Sequence, residues 1–292
     1  MNIYQEGFRD DILSSIFKLT SKIWLKITGI YVINSIVGII IFIPIALLLF
    51  KDNLTTFFTM NKSNPTEIAS FYQSLFADFS ALLIAGIIII VFILILISSW
   101  VNYFSLLLSD REIKGGDTSF GEILKKSFNN RVFSIFGCML LIYLFFVIGG
   151  FVSAITAMIH PIIVFITFLI FLILIFKLFL VIPALILGDK SLIDSFAFSF
   201  KHITFVRALK LFGISILVMI IIFFIALIFQ ALTSIFKDYM IVGIVINYAF
   251  NILLGGIMMT LLVAAGSAMY FRYAEDIDNE DEFTLDELLV TD

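Results

Sequence analysis

The chain has 292 residues, of which 62% are hydrophobic and 14% are charged, against about 25% charged residues in ordinary soluble domains. This composition excludes a soluble globular protein, and 35 phenylalanines with four prolines exclude disordered and collagen-like chains. A helical membrane protein with several spans is the class that remains. The formal charge of −4 is unevenly divided, because residues 275–292 hold nine acids and no base. We therefore predict a membrane domain over 1–274 and an acidic tail over 275–292.

Six apolar stretches are long enough to cross a hydrocarbon core of about 30 Å, which needs about 20 helical residues. Within each stretch, apolar residues occupy every side and leave no polar face. A backbone in lipid can form hydrogen bonds only within its own segment, so each stretch is predicted to be a helix. The expected fold is all-α with six transmembrane helices. The predicted spans are 27–50, 80–108, 132–159, 161–187, 211–236 and 241–271.

Basic residues in the connections set the predicted orientation. Fourteen lie before the first span, between spans two and three, between spans four and five, and after the sixth. The opposite side has three, Lys51, Lys62 and Lys237. Because Lys and Arg accumulate on the cytoplasmic side, both termini are predicted to be cytoplasmic.

The segments before spans one, three and five share a pattern. Residues 11–17 match 122–128 in an acid, two apolar residues and a phenylalanine, and 191–196 follow loosely. Three parallel repeats, each an interfacial helix followed by a transmembrane hairpin, are the preferred architecture. Alternatively, any basic helix that precedes an inward-facing hairpin has this composition.

Helix starts can be predicted in the connections. Ser119 with Glu122, and Ser191 with Asp194, have the spacing of a capping box, in which a hydroxyl and a carboxylate satisfy backbone amides. On the outer side, an Asn-Pro pair followed by an acid predicts a helix over 65–79, either interfacial or an extension of span two.

The helix that starts near Ser119 is predicted to lie on the membrane surface. Its apolar residues share one face, and Lys125 and Lys126 lie on the other. We expect these lysines, with Arg131, to face anionic lipid headgroups at the cytoplasmic face of the bilayer.

Catalytic and metal sites find little support. The two histidines, His160 and His202, are predicted on opposite sides of the membrane, so they cannot share a metal or a catalytic triad. No predicted span contains Asp or Glu, which removes paired-carboxylate catalysis from the membrane interior. We expect a non-enzymatic protein with no metal, cofactor or nucleic-acid partner.

Lys177 is the one charged residue within a predicted span. It lies about 9 Å along the helix from Pro183, so its side chain can snorkel to the interface or make a structural hydrogen bond. The alternative is a contact with an anion or a lipid headgroup. Asn34 and Asn102 are predicted at a similar depth, and the three side chains define a candidate pocket open to the inner leaflet.

Small residues at a spacing of four predict close helix contacts. In the outer half, Gln230, Asn247 and Asn251 are expected to form hydrogen bonds between helices. The small-residue stripes are Gly256, Thr260, Ala264 and Ala268 in span six, and Gly149, Ser153 and Ala157 in span three.

The fourth span and the segment after it resemble a bacterial family. The pattern consists of Phe179, Pro183, Asp189, Ser191, Ser195, Phe196, Ser199 and Lys201. It is similar to the membrane domain attached to some glycerophosphoryl diester phosphodiesterases and to stand-alone six-helix relatives. The resemblance implies a bacterial cytoplasmic membrane and a lipid-related setting. The soluble catalytic barrel of those enzymes is absent here, so no hydrolase activity is implied.

Two functions remain open. The first is a non-enzymatic accessory or scaffold protein, in which the acidic tail is either solvated or docks a protein partner or the chain's own basic loops. The second is a transporter or binder of a lipid or small amphiphile, with Asn34, Asn102 and Lys177 in its pocket.

Overall fold

A computed structural model describes residues 12–59, 64–77, 81–158, 160–234 and 240–289. The expected all-α class is confirmed, since the described residues form helices and no strand. The helices are α1 (Ile12–Thr59), α2 (Pro65–Ala77), α3 (Ala81–Lys114), α4 (Phe120–Ser127), α5 (Arg131–Ala157), α6 (Pro161–Lys177), α7 (Val181–Leu187), α8 (Leu192–His202), α9 (Phe205–Ser234) and α10 (Met240–Leu289).

Several helices have the length and apolar composition expected of a multi-pass membrane protein. In the described residues, five stretches are long and apolar enough to cross a membrane. The predicted span 211–236 coincides with α9, and its crossing of a membrane stays a prediction. The five stretches are Ser14–Ile41, Ile84–Lys114, Arg131–Thr156, Ile162–Leu187 and Val245–Ala274.

The first helix differs from its prediction. The segment before residue 27 was expected as a separate interfacial helix, but α1 runs without a break from Ile12 through Pro44 to Thr59. By contrast, α4 and α8 are separate short helices before α5 and α9. The threefold repeat therefore stays a prediction, supported by its second and third units only.

The start of α2 forms as expected. Asn64 accepts a hydrogen bond from the Thr66 amide through Oδ1 (3.1 Å), and its Nδ2 donates to Glu67 Oε1 (3.0 Å). The first of these bonds satisfies an orphan amide of the first turn, and Pro65 fits there because it has no amide hydrogen to leave unpaired.

The long helices contact one another in a cyclic order, α1, α3, α5, α6, α9, α10 and back to α1. In addition, α3 contacts α10. The short helix α7 packs against α3, α5, α8 and α10. Thus α7 joins elements that are distant in the sequence.

The buried core lies at one end of this bundle, which we call the basic end. It comprises the beginning of α1, the end of α3, helices α4, α7 and α8, and α10 near residues 263–273. Toward the opposite end the apolar side chains are open, with Ile40 65% and Phe151 68% exposed. Such surfaces suit contact with lipid tails, which are as apolar as the side chains.

Small residues allow α1 and α10 to approach closely. The predicted stripe that starts at Gly256 is buried along its length. A Cβ atom added to Gly256 would lie 2.8 Å from Thr28 Oγ1 and 3.0 Å from Thr28 Cα, so the backbones leave no room for a side chain. In the other stripe, Gly149 packs under the ring of Phe171, so a Cβ atom there would overlap the ring.

Replacement of Gly256 by alanine tests this packing. We expect Gly256→Ala to destabilise the protein by about 1–3 kcal/mol, because α1 must shift to admit the methyl group. A matched control is Gly150→Ala in α5, where an added Cβ meets nothing within 4 Å. This control should be neutral or slightly stabilising, since alanine favours helix more than glycine. Thermal unfolding in detergent measures both, and equal melting temperatures would contradict the close contact.

Candidate functional site

The candidate site lies where α6 breaks and α8 packs against the break. Helix α6 ends at Lys177, and α7 starts at Val181 after a turn over 178–180. Two residues later in α7, Pro183 has no N–H to donate to the carbonyl of Phe179, and its ring crowds that carbonyl. The interruption of the fourth predicted span therefore lies just before this proline.

Ser199 of α8 replaces backbone bonds at the break. Its hydroxyl accepts a hydrogen bond from the Leu180 amide (3.1 Å) and donates one to the Lys177 carbonyl (2.6 Å). Ser199 is fully buried. A side chain that inserts into a backbone ladder is a known cause of helix kinks. Helix α8 thus stabilises the break between α6 and α7 through the hydrogen bonds of Ser199.

Lys177 is the last residue of α6. Its Nζ lies 5.2 Å from the ring centroid of Phe200 in α8, a cation–π geometry. A positive charge at a helix C-terminus also interacts favourably with the helix dipole. Both contacts favour the snorkelling and structural explanation of Lys177.

The other two predicted pocket residues make different contacts. Asn102 Nδ2 donates to the Ser98 carbonyl of its own helix (2.9 Å). Asn34 is half-buried on α1. No contact recorded in the described part of the chain joins any two of Asn34, Asn102 and Lys177, and their shared pocket stays a prediction.

The predicted amides near the opposite end bond within one helix. Asn251 Nδ2 donates to the backbone oxygen (2.8 Å) and to Oδ1 (3.1 Å) of Asn247, both in α10. The hydrogen bonds recorded for this pair are therefore not interhelical, contrary to expectation. The side chain of Gln230 lies outside the described residues.

Helix α4 is docked by a second buried serine. Trp100 Nε1 donates to Ser127 Oγ (3.0 Å), and Lys26 Nζ donates to the carbonyl (2.7 Å) and the hydroxyl (3.0 Å) of Thr118. Ser119 is the N-cap as predicted, but its hydroxyl does not cap the helix. It donates instead to Asp117.

Asp117 organises the start of α4. Hydrogen bonding with the Glu122 carboxyl and with the Ser119 amide lowers its pKa below the ordinary value of 3.8. These hydrogen bonds favour the ionised form of Asp117. At α8 one half of the predicted capping box forms, because Ser191 Oγ accepts from the Asp194 amide (3.2 Å). The Asp194 carboxylate accepts a hydrogen bond from the Ser191 hydroxyl.

Two of the three basic residues predicted to face lipid are paired with carboxylates. Lys126 forms an ion pair with Glu122 on α4, and Arg131 forms one with Asp189. Asp189 has a left-handed backbone with φ of 50°, which is uncommon for a residue with a side chain. Lys125 is exposed.

The buried serines indicate an alignment of the segments before α5 and α9 that sequence reasoning missed. Residues 116–128 and 188–200 share Gly-Asp-x-Ser, an acid three residues later, and Ser-Phe at the end, at a constant offset of 72 positions. Ser127 and Ser199 occupy equivalent places and both bond to neighbouring helices. The offset was visible in the sequence, but only the structure shows that both serines are buried and dock a short helix against its neighbours.

Aromatic rings join α8 to α10. The ring of Phe198 lies 4.4 Å from that of His202 and 5.3 Å from that of Tyr270, and His202 stacks on Tyr273 at 5.7 Å. We call these four rings the aromatic row. Two cations border the row, and each lies over a ring: Lys190 Nζ is 5.2 Å from the Phe198 centroid, and the Arg207 guanidinium is 4.5 Å from the Tyr273 centroid.

The other histidine, His160, caps a helix. His160 is the N-cap of α6, and its Nδ1 accepts a hydrogen bond from the Ile162 amide (3.2 Å). Among the described residues, no group of three His, Cys, Asp or Glu side chains is placed to hold a metal ion.

A groove of about 520 Å³ lies between α3 and α5. Its lining runs from Val91 to Ser98 on one helix and from Tyr143 to Val147 on the other, and it is mostly apolar. None of the three predicted pocket residues lines it. An apolar groove along exposed helix surfaces suits a hydrocarbon chain rather than a polar substrate.

No family model, curated protein or solved structure matches the chain. The resemblance to the membrane domain of phosphodiesterases therefore stays a prediction.

Loss of the Ser199 hydroxyl tests the importance of the α6–α7 break. We expect Ser199→Ala to destabilise the protein by about 1–3 kcal/mol, because it leaves the Leu180 amide and the Lys177 carbonyl unpaired in a buried place. Ser35→Ala in α1 is the control, since that hydroxyl bonds only to the carbonyl of Tyr31 four residues earlier. Denaturant or thermal unfolding compares the two. A Ser199→Ala variant as stable as Ser35→Ala would show that the break does not need the hydroxyl.

Proposed function

We propose that the protein is a non-enzymatic accessory or scaffold protein of a bacterial cytoplasmic membrane, with both termini in the cytoplasm. The observation that carries the proposal is the position of the core. The helices pack around α7 at the basic end, and this packed region holds α4, α8 and residues 263–273 of α10. A rigid region of this kind suits the presentation of binding surfaces at one face of the membrane.

The excess of Lys and Arg in the connections supports a cytoplasmic position for the basic end. A partner-binding role for the acidic tail, 275–292, is supported by the path of α10. The helix continues beyond the predicted sixth span, which ends at residue 271, to Leu289. Fifteen residues of helix after Ala274 extend about 22 Å. The tail therefore starts as a helix directly after Tyr273, which belongs to the aromatic row.

A lipid-transport assay distinguishes this proposal from the transporter alternative. We expect vesicles of phosphatidylcholine that contain the protein to scramble a trace fluorescent phosphatidylglycerol no faster than protein-free vesicles, because the predicted polar pocket residues make separate contacts. Dithionite quenching measures the scrambling, and a known scramblase provides the positive control. Fast scrambling that Lys177→Ala abolishes would favour the transporter instead.

Removal of the tail tests the scaffold role. We expect a protein partner that copurifies with the full chain to be lost on deletion of 275–292, since nine acids form a strong electrostatic surface. A control variant keeps the length of the tail but replaces its acids by Asn and Gln, and it should lose the same partner. Quantitative mass spectrometry of the proteins that copurify from mildly solubilised membranes measures partner loss in both variants. Retention of every partner by both variants contradicts the scaffold role of the tail.

A further inference from the structure

We propose that the cations around α8, and not those of α4, form a binding site for the headgroup of an anionic phospholipid. The charged side chains around α8 and α4 differ in how they are paired. The structure records four ion pairs between the side chains that it describes, and all four involve α1, α3, α4 or the start of α5. They are Lys22–Glu112, Lys114–Asp110, Lys126–Glu122 and Arg131–Asp189.

The cations near α8 have a different environment. Lys177, Lys190 and Arg207 each lie over an aromatic ring, and no described carboxylate forms an ion pair with them. The nearest acids in the sequence have other partners, because Asp189 pairs with Arg131 and Asp194 accepts from the Ser191 hydroxyl. Among the described side chains, the cations around α8 therefore outnumber the carboxylates that could neutralise them.

The exposed face of α8 places this charge at a lipid surface. Ile193, Ala197 and Phe200 follow one another at helical spacing and are all exposed, Ile193 to 80% and Phe200 to 40%. The opposite face, which includes Phe198 and Ser199, is buried against the bundle. A short helix with an apolar outer face and neighbouring cations lies at the level of the lipid headgroups.

Arg207 and Lys190 have donors suited to phosphate. One guanidinium nitrogen of Arg207 donates to the His202 carbonyl (2.8 Å), which fixes the side chain, and further N–H groups remain for a ligand. Guanidinium groups bind phosphate by paired hydrogen bonds, and the Lys190 ammonium adds a point charge. The aromatic row holds both cations in place without neutralising them.

The partner is an anionic phospholipid of the cytoplasmic leaflet rather than a free phosphate ion, because the apolar face of α8 requires a membrane next to the cations. This inference rests on the proposed membrane orientation but not on the accessory role.

Native mass spectrometry of the purified full-length protein tests the site, with palmitoyl-oleoyl phosphatidylglycerol and the matching phosphatidylcholine as probes. We expect a stoichiometric phosphatidylglycerol on the unmodified protein. Lys190→Gln with Arg207→Gln should weaken its binding by about tenfold or more, since each cation near an anionic surface contributes about 1 kcal/mol. The matched control, Lys125→Gln with Lys126→Gln on α4, removes the same charge and should change binding less than twofold.

A second variant keeps the test independent of folding. Lys190→Arg retains the charge and should keep most of the phosphatidylglycerol affinity, whereas a loss equal to that of the double variant would indicate a structural effect and overturn the site. Equal binding of phosphatidylcholine, displacement by inorganic phosphate, or loss of binding in the α4 variant alone would also overturn it. If the protein scrambled lipid and still bound phosphatidylglycerol, the accessory role would be contradicted but the proposed lipid site would not.

Discussion

A backbone amide or carbonyl in hydrocarbon has no water to bond with, and the arrangement of this protein depends on that constraint. The fourth apolar stretch is interrupted just before Pro183, which removes a donor and crowds the preceding turn. The freed groups need a partner from another helix. Ser199 provides it through two hydrogen bonds, so the position of α8 is tied to the position of the break. Once α8 is fixed, the aromatic row fixes α10 beside it.

The same requirement explains why the core lies at one end. Helices that only face lipid need no tight packing, and the apolar surfaces toward the opposite end are correspondingly open. At the break in α6, where the short helices α7 and α8 pack against the bundle, the freed backbone amides and carbonyls need hydrogen-bond partners and are therefore buried. Glycine at 256 and alanine at 264 and 268 let α1 and α10 close around that region. The binding surfaces proposed for lipid and for a protein partner both lie on this packed region.

Sequence reasoning predicted the helices well because lipid permits few structures. The starts at Asn64 and Ser191 and the burial of the small-residue stripe from Gly256 follow from local chemistry. The site was harder to predict. Lys125, Lys126 and Arg131 have the composition of a headgroup site, but Glu122 and Asp189 pair with two of them. Whether a cation is neutralised depends on an acid that can be 58 positions away, as for Arg131 and Asp189.

The sequence by itself determined that the chain is helical, apolar enough for a membrane and basic in particular connections, because hydrogen bonding in lipid and charge counting are local rules. Only the tertiary structure decided which polar side chains meet. It placed Ser199 in the break of α6, kept Asn102 on its own helix, and left Lys190 and Arg207 over aromatic rings instead of beside carboxylates. These outcomes depend on packing between distant helices, and a pattern along one chain does not specify such packing.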